Sequence, residues 1–365
     1  MHPISTPQQP SARILSIDFF RGITLFILLS GIAEVFVELH KAGIGGTIIS
    51  AIARQTAHGE WFELYFWDLI QPFFMFIVGV AMPFSVAKRL ERGDEWKTVL
   101  KHALVRSFWL LVLGFMLGAK KDSYFLTNIL PQLAITYPIA FLLMRLKVRW
   151  QLLMSFAVII ISDLLYYNWP VEGYNLLLPD KNFGTWVDVH TTGHIHPYHW
   201  VTFNAVPTLA HVIWGVVVGK VLMSNRTDYK KFWIILIPGI AGVITGYALR
   251  PYLPIIERIT SGTYVIVTGG FALISMALSF YLIDILKFKK LPWFFAIFGM
   301  NPIFLYLFAE LGGGKLFVRM ATPFTSRLFG WGGETLVNVV TIIVVAGMFW
   351  YLSYFLYKRK IFFKL

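Results

Sequence analysis

Residues 58–79 read HGEWFELYFWDLIQPFFMFIVG. The stretch leaves a polar loop and enters an apolar run that continues to about residue 86. A helix of such length crosses a hydrocarbon core of roughly 30 Å. Comparable apolar blocks recur along the chain, at about 14–38, 63–86, 100–119, 126–144, 150–168, 200–222, 231–249, 263–285, 292–310 and 335–357. They are continuous rather than alternating, which selects helices over strands. In lipid only helices and closed barrels satisfy their own backbone. Of the 365 residues 57% are hydrophobic and only 14% charged, where a soluble domain carries roughly a quarter charged. The expectation is an all-α polytopic membrane bundle of about ten transmembrane helices. It forms a single domain over 13–365, after a short polar lead at 1–12.

Lysine and arginine orient the spans. The N-terminal flank, the loops after spans two, four, six, eight and ten, and their adjoining span ends hold 22 of the 32. This bias puts both termini in the cytoplasm and His58 outside, with the loop at 169–199 as an outer lid. The net charge of +13 is then mostly this bias, together with attraction to anionic inner-leaflet lipid. No basic stripe interleaved with aromatics points to nucleic acid. The chain has no cysteine, so disulfide and thiol chemistry are excluded. The first apolar block is too long for a cleaved signal peptide. No internal repeat supports an inverted-repeat transporter.

The polar residues inside these blocks carry the functional signal, because ionisable groups at membrane depth are costly. Asp68 lies just inside span two, four residues before Pro72. Proline has no N–H to give to the carbonyl of residue 68, so the backbone opens where the carboxylate sits. His58, ten residues upstream, has the side chain suited to a general base near neutral pH. Four histidines, His190, His194, His196 and His199, crowd the outer loop. Four histidines in ten residues could ligate a transition metal, but their spacing matches no zinc motif and no cysteine or clear acidic partner completes the set; a lid over a sugar-like ligand and ordinary loop packing are the other expectations. Asp18 and Arg21 are helical neighbours that either pair or leave Arg21 for a phosphate. Asn128 and Gln132 share a face of span four. Asn204, Pro207 and His211 fall in span six, and Asn301 beside Pro302 in span nine. Proline next to polar groups in three spans implies a hydrated central cavity.

RILSIDFFRGITLFILL followed by HGEWFELYFWDLIQPFFMFIVG resembles the opening of the heparan-alpha-glucosaminide N-acetyltransferase family. That family reads approximately R-x-x-S-[IV]-D-x-F-R-G, then H-x-x-W, then D-L-x-x-P-x-F-x-F-I-x-G. The matches include Ser16, Asp18, Arg21, Gly22, His58, Trp61, Asp68, Pro72 and Gly79. PIIERITSGTYVIVTGG, from Pro254 to Gly270, is similar to its P-I-x-K-x-x-W-T-x-S-[FY] segment, with Thr260 in place of the tryptophan. FGMNPIFLYLFAE is similar to G-M-N-x-x-x-x-Y through Gly299, Met300, Asn301 and Tyr306. The resemblance implies transfer of acetyl from cytoplasmic acetyl-CoA to a sugar across the membrane, with His58 as base or acyl carrier and Asp68 orienting it. On this basis acetyl-CoA contacts fall to Arg21, Asp18, Gln132 and Asn301, and acceptor contacts to Trp61, Asn128, His196 and Tyr264. No metal is expected. Where the family has L-Q-R-[IL], span four reads LPQL, and Ile32 stands where many relatives have a polar residue. These departures point to a bacterial-type glycan or amino sugar as acceptor. The expected setting is a bacterial inner membrane with the site on the periplasmic side, and the resemblance allows a homodimer. A polar cavity between broken helices also suits a secondary transporter of a sugar or its derivative.

Overall fold

The computed structural model describes residues 14–120, 127–288 and 290–363; the lead at 1–12 lies outside them. Every regular element among the described residues is a helix. Seven helical stretches are long and apolar enough to span a membrane, or eight when the bent pair α1 (Leu15–Ser30) and α2 (Glu34–Lys41) counts as one. The first block is therefore not one straight helix. It bends by 40° at Gly31, whose φ of 70° is left-handed, and the chain continues into α3 (Gly46–Arg54) before reaching His58.

A 3-10 turn, Phe66–Leu69, leads into α4 (Ile70–Glu91), followed by α5 (Trp96–Lys120), α6 (Ile129–Leu143) and α7 (Val148–Tyr167). Of the segments expected to span, α6 has 15 residues. The region expected at 292–310 divides into α12 (Lys290–Phe298) and α13 (Pro302–Phe308), since Pro302 starts a new helix after Asn301. A short helix in the loop at 169–199, α8 (Phe183–Thr192), precedes the 3-10 turn Thr202–Ala205 and α9 (Leu209–Met223). Then come α10 (Asp228–Leu249), α11 (Gly262–Phe280), α14 (Gly314–Phe329) and α15 (Gly333–Lys358).

Helix α4 is the central element; its whole inner stretch from Phe73 to Ile77 is buried. It crosses α9 at glycines. A Cβ on Gly79 would sit 2.1 Å from the Val212 carbonyl oxygen, and one on Gly215 would sit 2.1 Å from that of Phe76. Small residues let helices approach this closely in lipid, where packing rather than hydrophobicity drives association. Gly22 on α1 and Gly299 after α12 meet in the same way, with a Cβ on Gly22 only 1.8 Å from the Phe295 oxygen.

Pro72 falls in the first turn of α4, where its missing N–H costs little. The carbonyl of Asp68 that it leaves without a helical partner accepts a hydrogen bond from the Tyr264 hydroxyl of α11 at 2.7 Å. The carbonyl freed by the proline is thus satisfied by a tyrosine hydroxyl.

Candidate active site

The loop before α4 is closed by Gln55 at the end of α3. Its carbonyl accepts from Trp67 N–H at 3.0 Å and its side chain from Phe66 N–H at 2.9 Å. This returns His58 to a position above Asp68. The Asp68 carboxylate accepts from the main-chain N–H groups of Tyr65 at 2.8 Å and Gly59 at 3.2 Å. The Tyr65 bond is the carboxylate half of a capping box. A Cβ at Gly59 would lie 2.6 Å from the Glu63 carbonyl oxygen, so the loop can fold over the carboxylate only with glycine there.

His58 Nδ1 bonds to Asp68 Oδ1 at 2.9 Å and to Glu257 Oε2 at 3.2 Å. Both acceptors are carboxylates, so Nδ1 carries the proton and Nε2 faces outward, with no hydrogen-bond partner among the described residues. A buried carboxylate that fixes an imidazole's tautomer and orientation is the same device that orients catalytic histidines in hydrolases. The His58 side chain is 45% exposed, whereas Asp68 is fully covered and Glu257 5% exposed. Partial burial alone would lower the imidazole pKa. The hydrogen bonds and charges of the two carboxylates reverse that and raise it to about 9. Burial, together with the charge on Asp68, pushes Glu257 up to about 7 against the pull of His58.

Glu257 and Arg258 come from the loop between α10 and α11. Hydrogen bonds from Thr260 N–H to the Glu257 carbonyl at 2.8 Å and from Ser261 N–H to that of Ile256 at 3.1 Å hold this loop. Thr260 has φ 54°, a strained value for a β-branched residue. Arg258 donates to the Gly59 carbonyl at 3.3 Å and to the Tyr198 carbonyl, tying the loop of His58 to the loop at 169–199. Its guanidinium lies 5.7 Å from the Trp200 ring, which itself meets His58 edge-on at 5.6 Å. Trp61 packs edge-on against His199 at 6.3 Å, and its Nε1 is buried without a partner.

Other expected site residues have partners within the protein. Tyr264 is fully buried and its hydroxyl is committed to the Asp68 carbonyl, which anchors the turn before α4. Asn128 caps α6, accepting from Leu130 N–H at 3.1 Å. Asn301 is buried and holds the C-terminal segment, donating to the Ile361 carbonyl at 3.0 Å and accepting from Phe363 N–H at 3.0 Å; both ends of its amide are occupied. Gln132 is buried in a polar knot, donating to Asn204 Oδ1 at 2.8 Å and accepting from Gln71. Arg21 and Asp18 pair at 3.8 Å. His196 accepts from Tyr198 N–H at 3.2 Å; burial, then Arg258 and His199, lower its pKa to about 4.

The outer-loop histidines do not converge. His190 bonds to the Trp186 carbonyl, His194 to that of Thr192, and His199 to Asp180 at 2.7 Å. Among the described residues the group able to hold a metal ion is His58, Asp68 and Glu257, whose ligand atoms lie within 4.8 Å of one another. Both Asp68 oxygens already accept main-chain N–H groups, a donor set built to orient an imidazole.

Away from His58, toward the other end of α4, lies a cavity of about 280 Å³. Phe74, Ile77, Ala81 and Ser85 line it as one stripe of α4, with Arg21, Arg106, Tyr137 and Tyr306 opposite. The Arg106 guanidinium sits 4.9 Å above the Tyr137 ring, and its Nε is buried without a hydrogen-bond partner. From Phe74 to Ser85 the helix rises about 16 Å, and Asp68 is about 9 Å further.

Residues 13–246 match the family model described as heparan-alpha-glucosaminide N-acetyltransferase, catalytic. The chain belongs to this family. It is 23% identical over 433 residues to the mouse protein named heparan-alpha-glucosaminide N-acetyltransferase, covering 100% of the chain and 63% of that relative. To the human protein of the same name it is 23% identical over 423 residues, covering 97% of the chain and 60% of that relative. The chain thus spans about three fifths of the length of these curated relatives. His58, Asp68, Arg21 and Arg106 fall inside the heparan-alpha-glucosaminide N-acetyltransferase match, and Glu257 outside it. Glu257 occupies the lysine position of P-I-x-K, so sequence reading aligned the segment without singling out its reversed charge. Trp200 and Arg106 likewise had no signal beyond residue type.

Proposed function

We propose that the protein is a transmembrane acetyltransferase that takes acetyl from acetyl-CoA and passes it to an amino sugar or glycan at the His58 end. The observation that carries this reading is a buried carboxylate–imidazole pair with an open Nε2, at the far end of α4 from an arginine-lined cavity. Arg21 and Arg106 would meet the CoA phosphates, and the pantetheine arm would follow the α4 stripe toward His58. In the direct route neutral His58 Nε2 takes the acceptor's proton as its nitrogen or oxygen attacks the thioester carbonyl. The C–S bond then breaks, and the Nε2 proton passes to the departing thiolate. Asp68 and Glu257 stabilise the imidazolium between these two steps.

By the positive-inside bias the donor end faces the cytoplasm of a bacterial inner membrane and the His58 end faces the periplasm. The deciding experiment measures acetyl-CoA binding and acetyl transfer on the same detergent-purified preparations of wild type and His58→Ala. Wild type should bind acetyl-CoA and acetylate an acceptor found by screening amino sugars and glycans. The variant should keep its affinity within a few-fold while losing about 10²–10⁴ in rate, as removal of a general base does. Retention of most of the activity would refute the assignment of His58. A response to free sugar and none to CoA species would favour transport.

A further inference from the structure

A second cavity, of about 540 Å³, opens between α7 and α10 and has α9 and α11 as its floor. Its walls are almost entirely apolar: Leu152 and Phe156 from α7, Val217 from α9, Ile234 and Pro238 from α10. The exceptions are Lys220 and Arg226, and both lie at the same end, where α9 finishes and α10 begins. Lys220 Nζ is held there by the Met144 carbonyl at 2.6 Å and the Leu146 carbonyl at 3.3 Å. Arg226 has no partner among the described residues. The loop before α7 and the first turns of α7 and α10 add Arg145, Lys147, Arg149, Lys230 and Lys231, against the single anion of these segments, Asp228, which pairs with Lys231 at 3.5 Å.

We infer that this groove is a binding site for one anionic phospholipid, distinct from the acetyl-transfer site. A flexible apolar chain fits walls that offer it no hydrogen bond, and its phosphate meets Arg226 and Lys220 at the mouth. The length agrees. Val148 to Phe156 on α7 measures about 12 Å, within the roughly 15 Å of hydrocarbon that one leaflet supplies. Basic pockets between helices at a membrane face hold anionic headgroups by this combination. A zwitterionic lipid would set its own cation against the same basic cluster, so the site discriminates by headgroup charge. No step of the acetyl-transfer reading enters this argument.

The test is native mass spectrometry of the full chain purified in detergent and exposed to equal amounts of phosphatidylglycerol and phosphatidylcholine, with thermal unfolding followed in parallel. The expected result is one phosphatidylglycerol retained through detergent washing, with a rise in Tm that phosphatidylcholine does not give. Arg226→Glu, at an exposed position, reverses the headgroup charge. Val217→Trp fills the groove, with Val217→Phe as a milder filling if tryptophan lowers the yield of folded protein. Each should cut phosphatidylglycerol occupancy at least tenfold and abolish the Tm rise. Equal retention of the two lipids, or unchanged retention in Arg226→Glu and the groove-filling variants, would overturn the proposal.

Discussion

Glu257→Gln leaves an oxygen where one lies 3.2 Å from His58 Nδ1 and removes the negative charge behind it. The folded-state pKa of His58 is raised to about 9, so its bound proton favours the folded protein below the ordinary value of about 6.5. That contribution is lost as pH climbs through about 9. Removing one of the two carboxylates must lower this pKa. An opposite charge at such a distance moves a pKa by about one to three units. The imidazole is 45% exposed, and water screening selects the lower end, about one unit. At pH 7.5 a fall from about 9 to about 8 raises the neutral fraction from about 3% to about 24%, roughly eightfold. Diethyl pyrocarbonate reports this directly, because it modifies only the neutral imidazole. The modification rate of the peptide containing His58, followed by mass spectrometry across pH 6–10, needs no acceptor substrate. Once an acceptor is known, the alkaline rise of kcat/KM should move down by the same unit. Superimposable curves for wild type and Glu257→Gln would refute the claim that Glu257 sets the charge of His58.

Asp68→Asn can keep its oxygen on the N–H groups of Gly59 and Tyr65 but then turns an amide donor on His58 Nδ1; it should destabilise the protein by about 1–3 kcal/mol and lower turnover, measured by thermal unfolding and acetyl transfer on one preparation. Gly79→Leu should prevent the α4–α9 crossing, because even a Cβ there meets the Val212 carbonyl at 2.1 Å; loss of the monodisperse detergent-solubilised peak is the expected readout. In this cysteine-free chain, Ile195→Cys should react with an impermeant maleimide on intact cells and Glu91→Cys only after permeabilisation. The reverse pattern would invert the proposed orientation.

What the sequence displayed best was what lipid imposes. Long apolar runs are the only way to bury a helix's surface in hydrocarbon, so α4, α5, α7, α10 and α11 stood out. The break at Gly31 was harder to place, because a bent helix has the same composition as a straight one, whereas the division at Asn301–Pro302 is marked by a proline beside a polar side chain. The polar residues divided along similar lines. Asp68 and His58 lie ten residues apart, and the local turn that joins them is encoded nearby. Asn301, Asn128 and Tyr264 were seen as polar side chains at depth, which is equally the mark of a group that satisfies a broken backbone. Here each carries a hydrogen bond to a main-chain atom.

Glu257 is 199 residues from His58 in sequence, and no local pattern links them. Its sign has a consequence for the acceptor. A lysine at that position, as in P-I-x-K, would set a cation beside the ring and disfavour the imidazolium, while Asp68 keeps the proton on Nδ1. With Glu257 the imidazole holds its proton, and with Glu257 itself titrating at about 7 the three groups carry a net charge between zero and −1 near neutral pH. A neutral hydroxyl entering this site gains little from that charge and finds a protonated base. A protonated amine is drawn in by the carboxylates, and its own charge disfavours the proton on His58. The imidazolium then gives its Nε2 proton to solvent as the ammonium arrives, and the ammonium sheds its own proton to solvent, leaving a neutral amine facing a neutral base; an amino acceptor is therefore expected to react faster than its hydroxyl counterpart. The rate advantage of an amine over its hydroxyl counterpart should shrink in Glu257→Gln.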